Sequence, residues 1–255
     1  MKSMFVFSAL IILFTLTGCG RPHKSSAPKH NLQKRILTDE EKTRLVTATI
    51  YYTPDYSLSD SVQCEEKINL NILDNKNKVT VYSLCKKIVS SCRMQGSCIV
   101  NIDNTAVLIN YHKKQNNVVY FKKVNTADCP YGLGDSSDKV LSFKTICLDP
   151  YKSVAADLSI YRLGDVIYMP DLVGIVLPSG QIHDGYLIVR DSGGNIKGVG
   201  RFDFFTGFQG TSKKINPFAR LGLGGGQFLN YEHFNFDHSV SLSIRQQHQF
   251  PFIKK

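Results

Sequence analysis

From Val46 onward the chain is built of short runs in which β-branched and aromatic residues predominate and often alternate with polar ones. VTATIYYT (46–53), KINLNIL (67–73), KVTVYSL (78–84), SCIVNID (97–103), AVLINY (106–111) and NVVYFKKV (117–124) come first. DVIYMP (165–170), GIVLP (174–178), YLIVR (186–190) and RFDFF (201–205) follow. Each run has strand length and composition, and Asp-Asn, Pro-Ser-Gly and Ser-Gly-Gly clusters punctuate them as turns. Many short strands with little helical periodicity predict a mainly β fold, a barrel or a sandwich. DPYKSVAADLSIYRLG (149–164) is expected to hold one short helix or turn. After Gly207 a glycine cluster mixed with aromatics gives no clear period and is expected to form a peripheral C-terminal extension. No internal repeat is visible.

The N-terminus has a different texture. Lys2 precedes an apolar run from Met4 to Leu16, shorter than the roughly 20 residues a bilayer-spanning helix needs, which suits a signal peptide. The run closes on LTGC, Leu16 to Cys19, which resembles the bacterial lipobox and makes Cys19 the expected lipidation site, anchoring the chain to a membrane. Gly20 is not the aspartate associated with inner-membrane retention, so the periplasmic face of the outer membrane is the expected location.

With 42% hydrophobic and 20% charged residues, the 255-residue chain can bury a core of ordinary size. Apart from Cys19, its cysteines are Cys64, Cys85, Cys92, Cys98, Cys129 and Cys147, an even set that in an exported chain reads as disulfides. Sequence does not choose the pairing. Cys92 and Cys98 lack the tight spacing of zinc knuckles. The net charge of +10 would suit nucleic acid in a cytosolic protein, but an export signal argues against that partner. RPHKSSAPKHNLQKR (21–35) is polar and proline-containing and reads as a tether between lipid and domain. The lysines between Lys76 and Lys123 either form a solvated face or suit an acidic polymer such as the cell wall, whose peptides carry carboxylates.

Three aspartates stand in the strand pattern: Asp157 in VAADLSIYRLG, Asp191 in RDSGGNIKG and Asp203 in GRFDFFTG. Between Phe202 and Phe204, the carboxyl of Asp203 is expected to be partly desolvated, so its pKa should rise into the range of a general acid. A nearby Asp191 would raise it further by like-charge repulsion.

DLSIYRLG, DSGGNIKG and FDFFTG, in that order, resemble the blocks of the 3D (Asp-Asp-Asp) domain, the catalytic module of the lytic murein transglycosylase A family and of related cell-wall enzymes. HDGYLIV, with Asp184, resembles the segment leading into the second block, and VTATIYYT the first strand. The firm likeness covers about residues 155–207. Two departures stand out: Asn195 replaces a small apolar residue, and Asp191 and Asp203 lie one residue farther apart than is usual. An extra residue in a strand would turn every later side chain to the other face unless a bulge or loop at Gly198 and Gly200 absorbs it.

The resemblance implies a six-stranded double-psi β-barrel with additional strands and loops. It implies cleavage of the MurNAc–GlcNAc bond of peptidoglycan without water and without a cofactor, with glycan strands as partner. Asp203 matches the acid that would protonate the glycosidic oxygen and then take a proton from the sugar's own C6 hydroxyl, giving a 1,6-anhydro product; Asp191 would stabilise positive charge on the ring. Lys197 either contacts a peptide carboxylate, hydrogen-bonds an aspartate, or is a surface lysine. Asp157 is expected as a structural turn residue. The expected organisation is a signal peptide (1–18), a tether (19–45), a 3D-type barrel (46–210) with a cysteine-containing insertion (64–147), and an extension (211–255).

Other readings have less behind them. DSGG also matches the Asp-Ser/Thr-Gly signature of aspartic proteases, but it occurs once, and Arg190 precedes it where those enzymes have an apolar residue. GLGGGQ (222–227) fails the dinucleotide pattern at Gln227. His233, Asp237 and His238 lie in an aromatic segment and read as packing or surface residues before metal ligands. The rival from another class is a non-catalytic envelope lipoprotein that binds peptidoglycan or a partner.

Overall fold

The structure is a computed structural model that describes residues 45–58, 64–74, 76–135, 145–224 and 228–251. The signal peptide expected over 1–18, Cys19, the tether up to residue 44 and residues 225–227 of the glycine cluster lie outside the described residues. The chain opens with β1 (Leu45–Tyr51), β2 (Asp55–Tyr56), β3 (Lys67–Leu73), β4 (Val79–Cys85), helix α1 (Lys86–Gln95), β5 (Ser97–Ile102), β6 (Thr105–Gln115) and β7 (Val118–Lys123). It continues with β8 (Ser153–Ala156), β9 (Val166–Tyr168), β10 (Tyr186–Ser192), β11 (Arg201–Phe205), the short α2 (Pro217–Arg220), β12 (Phe228–Asn230), β13 (Glu232–Phe234) and α3 (Ser239–Gln247).

The fold is mainly β, and its strands fall into two sheets. One is inserted between β1 and β8 in the chain and runs β2-β5-β6-β7-β3-β4; the other runs β12-β1-β11-β8-β10-β9-β13. In the second sheet β1 pairs in parallel with β11 and β10 in parallel with β8, while β11 and β8 are antiparallel. Alternation then sorts the side chains. Ala48 and Ile50 of β1, Val154 and Ala156 of β8, Leu187 and Val189 of β10, and Phe202 and Phe204 of β11 meet in one core. Tyr51, Ala155 and Phe205 pack together in a separate cluster, with Thr49 and Asp203 at the alternate positions of β1 and β11.

The segment 149–164 holds the expected turns, at 150–152 and 158–160, and between them a strand that was not expected, β8. Ser153, Val154, Ala155 and Ala156 are all buried because strands flank them on both sides, and a strand enclosed in this way suits small side chains. Sheet pairing here outweighs alanine's helix preference. In GIVLP (174–178) only Val176 pairs, in a single bridge to Ile182, so that run is a loop segment and not a strand.

Two helices also appear where none was expected. α1 buries Ile88, Val89 and Cys92 on one face against the first sheet, a helical spacing too brief to stand out among neighbouring strand runs. α3 lies in the C-terminal segment, which is not peripheral: it adds β12 and β13 to the second sheet, and α3 packs Ile244 against Val166 and Ile188. The Arg245 guanidinium lies 3.7 Å from the Phe236 ring centroid and donates to the carbonyls of Gly164 and Phe236.

The six cysteines pair as Cys64–Cys85, Cys92–Cys98 and Cys129–Cys147. The second joins α1 to β5 inside the core of the first sheet, and the third closes the connection leading back to β8. Cross-links spanning 21 and 18 residues of sequence would each stabilise by about 3 kcal/mol through the entropy of the unfolded chain.

Candidate active site

Asp191 and Asp203 sit on the two strands that flank β8, and both are in register with Ala155. Neighbouring strands are about 4.8 Å apart, which places the two backbones about 10 Å apart across a single rung. For Asp203 this follows from alternation, with Phe202 and Phe204 turned to the core. For Asp191 it does not. Leu187 and Val189 face the core, so regular alternation would send Asp191 there too. A bulge at Arg190 intervenes: Val189 pairs with Val154, and Asp191, not Arg190, pairs with Ala155. The bulge puts both carboxylates on the same face of the sheet, where they line a cavity of about 670 Å³.

The extra residue between them is taken up in the connecting loop. Gly198 (φ +95°) and Gly200 (φ +68°) adopt left-handed backbone conformations, and Ile196 is buried beneath the loop. Asp157 holds the loop from below. Its carboxylate accepts from the Gly198 N–H at 2.9 Å and from the Ser159 hydroxyl at 2.8 Å, with Lys197 Nζ at 3.4 Å. Those hydrogen bonds, the Gly198 amide first, hold its pKa well below the usual carboxylate range. Asn195 and Lys197 are on the exposed side of the loop, and neither they nor Asp157 lines the cavity.

The two paired acids have the opposite electrostatics. Burial pushes Asp191 up to about 7, against the hydrogen bonds it accepts from the Ser192 amide (2.9 Å) and the Tyr51 hydroxyl (3.0 Å); Asp135 and Asp203 add like-charge repulsion. Burial also raises Asp203, to about 6, partly offset by the Thr49 hydroxyl group and the charge of Arg201. The order reverses the simple expectation, since Asp191 keeps its proton to the higher pH. Both oxygens of Asp191 are engaged, however, by Tyr51 and Ser192, whereas Asp203 is held more loosely, beside the Thr49 hydroxyl. Tyr51 is itself held protonated by burial and by both carboxylates, so it acts as a fixed donor.

Sequence reasoning did not single out Asp135. Its carboxylate accepts from the Ser192 hydroxyl, and its backbone N–H donates to the Arg190 carbonyl at 3.1 Å, so it lines the cavity beside Asp191. The neighbouring glycine is the available signal: a Cβ at Gly134 would lie 2.0 Å from the Arg190 carbonyl oxygen. Gly134→Ala is therefore expected to force this backbone off the bulge and destabilise the protein by about 2–4 kcal/mol, checked by thermal unfolding. An unchanged melting temperature would count against the close approach.

Asp184 is not part of this cavity. It accepts from Lys152 Nζ at 2.6 Å and His248 Nε2 at 2.8 Å on the border of a second cavity of about 910 Å³. Partial burial opposes its ionisation, but those two bonds outweigh it and hold its pKa low. His233 bonds to Asp165 at 2.8 Å and His238 caps α3, so the C-terminal histidines go to separate structural roles. Among the described residues no helix is long and apolar enough to cross a membrane.

Residues 152–216 match the family model of the 3D domain, so the chain carries such a domain around Asp157, Asp191 and Asp203. Similar solved structures include MltA from E. coli with bound chitohexaose, at 18% identity and a TM-score of 0.44, covering 74% of this chain and 71% of that one. A membrane-bound lytic murein transglycosylase from Agrobacterium tumefaciens is 12% identical, with a TM-score of 0.44 and coverage of 81% and 76%. MltA from Neisseria gonorrhoeae is 13% identical, with a TM-score of 0.40 and coverage of 73% and 71%. No curated protein matches the sequence.

Proposed function

We propose that the chain is a lytic transglycosylase that cleaves the MurNAc–GlcNAc bond of peptidoglycan to a 1,6-anhydro product. One observation carries this reading: a 3D domain holds two carboxyls of raised pKa on one rung of a sheet, facing a cavity. The parallel pairing of β1 with β11 and of β8 with β10 supports the crossed connectivity of a double-psi barrel for this part of the chain.

Asp203 is the proton carrier in this mechanism, because it has the Thr49 hydroxyl beside it, whereas both oxygens of Asp191 are tied down by Tyr51 and Ser192. Between pH about 6 and about 7 the pair retains roughly one proton. The pair's proton rests mainly on Asp191, and the reactive form is the less populated one with the proton on Asp203, in which Asp191 is an anion whose charge is shared with the Tyr51 hydroxyl and the Ser192 amide. Asp203 protonates the glycosidic oxygen as its bond to C1 breaks, and Asp191 faces the positive charge that develops on the ring. The C6 hydroxyl oxygen then bonds to C1 and its proton returns to Asp203. No water is consumed, and the acid is regenerated.

The rate should therefore fall as pH rises through about 7, because the pair loses its last proton there. Anhydromuropeptide release from isolated sacculi between pH 4 and 9 checks this, and a rate still climbing at pH 9 would exclude a carboxylic acid as proton donor. The same sacculi test the whole reading. Bound protein with no anhydro product would make the chain a binding module.

In the cell we place the protein at the periplasmic face of the outer membrane, tethered through lipid on Cys19. Its glycan substrate lies within reach there.

A further inference from the structure

The cavity has a second wall of opposite charge. Facing Asp135, Asp191 and Asp203 are Arg93 from the last turn of α1, His112 from β6, and Lys122 and Lys123 from β7. The wall is shaped by its own irregularity: the ladder of β6 with β7 shifts register at His112, so that Tyr111 pairs with Phe121 and Lys113 with Tyr120. Among the described residues, Arg93, Lys122 and Lys123 form no ion pair. The pKa of His112 is lowered by burial and then by Lys122 and Lys113, in keeping with a concentration of positive charge here.

A neutral ligand would leave this wall unused. Resting on the transglycosylase reading, we propose that Arg93, Lys122 and Lys123 bind the carboxylates of the peptide carried by the glycan, while the sugar ring lies against the aspartates. The enzyme then selects anionic, substituted polysaccharide over uncharged sugar polymers, and long-range attraction to the sacculus also aids capture.

Binding is measured in the Asp203→Asn protein, so turnover does not enter. The ligands are intact sacculi, sacculi stripped of peptide by an amidase, and an uncharged chitin oligosaccharide. Adding Arg93→Gln, Lys122→Gln and Lys123→Gln together should weaken sedimentation with intact sacculi about tenfold, the sum expected of a few part-exposed charge contacts. Loss confined to intact sacculi supports the peptide carboxylates; an equal loss on stripped sacculi, whose amidase-freed lactyl carboxylates are the acids that remain, would overturn the assignment to the peptide. The charge-retaining set Arg93→Lys, Lys122→Arg and Lys123→Arg should keep parental binding to intact sacculi. Unchanged binding to intact sacculi by the glutamine triple, an equal loss on the chitin oligosaccharide, or no parental binding to sacculi would overturn the proposal. Failure of the wild type to release anhydro product, with this charge dependence intact, would instead overturn only the catalytic reading.

Discussion

Asp203→Asn is expected to reduce anhydromuropeptide release about 1,000-fold or more and, at pH 8, to raise the unfolding temperature. The catalytic loss is large because one carboxyl serves as both acid and base, and general acid–base catalysis by a placed group contributes about 10²–10⁴-fold per step. The gain in stability comes from the same burial. A carboxyl raised to about 6 holds a proton in the folded chain that the unfolded chain has already released. Its ionisation therefore costs stability as pH rises from about 4 through about 6, and above that range the full cost is present. Asparagine removes that cost, about 1–3 kcal/mol at roughly 1.4 kcal/mol per pH unit. At pH 3, where most of the acid is protonated in both states, the two proteins should melt together. Asp191→Asn should show the same sign in stability, with a smaller catalytic loss because its oxygens are engaged by Tyr51 and Ser192. Chemical denaturation at the two pH values together with product analysis tests both halves. A variant that loses activity without gaining stability at pH 8 would mean that the carboxyl is not desolvated.

Arg190→Leu is expected to destabilise the protein by about 3–5 kcal/mol and to loosen the C-terminal segment. The Arg190 side chain is fully buried. It donates to the carbonyls of Cys147 (3.0 Å), Pro251 (3.3 Å) and His248 (2.8 Å), and lies over the ring of Phe250. Burial lowers its pKa to about 10, with Asp149 supporting the charge, so it remains a cation at neutral pH. Leucine fills part of the volume but leaves the Cys147 and His248 carbonyls without this donor and Asp149 without its strongest cation. Lysine keeps the charge but lacks the planar fork that reaches several carbonyls together, so Arg190→Lys should recover only part of the loss. Urea unfolding at pH 7 measures the first effect; limited proteolysis around α3 reports the second. A loss below about 1 kcal/mol would show that the segment docks without this residue. Activity should fall too, because the Arg190 bulge is what turns Asp191 into the cavity.

The same arginine shows where local pattern ran out. In the sequence, Arg190 appeared only as a departure from a protease signature, and a charged residue after Leu187, Ile188 and Val189 reads as the end of a buried strand. The fold instead buries it, because the C-terminal segment returns to that point and brings the His248 and Pro251 carbonyls within reach of its guanidinium. Nothing near residue 190 in the chain announces this. α1 was passed over because ten residues between strand runs carry little periodic signal. β8 was not foreseen because its four small residues carry little strand signal until the strands on either side pair with it. Asp135 was missed because a carboxylate in a loop is ordinary until its neighbour is found pressed against the Arg190 carbonyl.

Composition and short-range order determined the mainly β character, the cysteine set, the three ordered aspartate blocks and the desolvation expected for Asp203 between two phenylalanines. These depend on residue type and on neighbours along the chain, which a sequence states outright. Tertiary structure decided which cysteines pair, that Asp191 and Asp203 share a rung through Ala155, and that Asp157, Asp184 and Lys197 lie outside the cavity. It also decided that a basic wall from an inserted sheet faces the acids. Each of these depends on which distant strands meet and on where one bulge shifts the register, and such long-range pairing leaves little trace in the order of the residues.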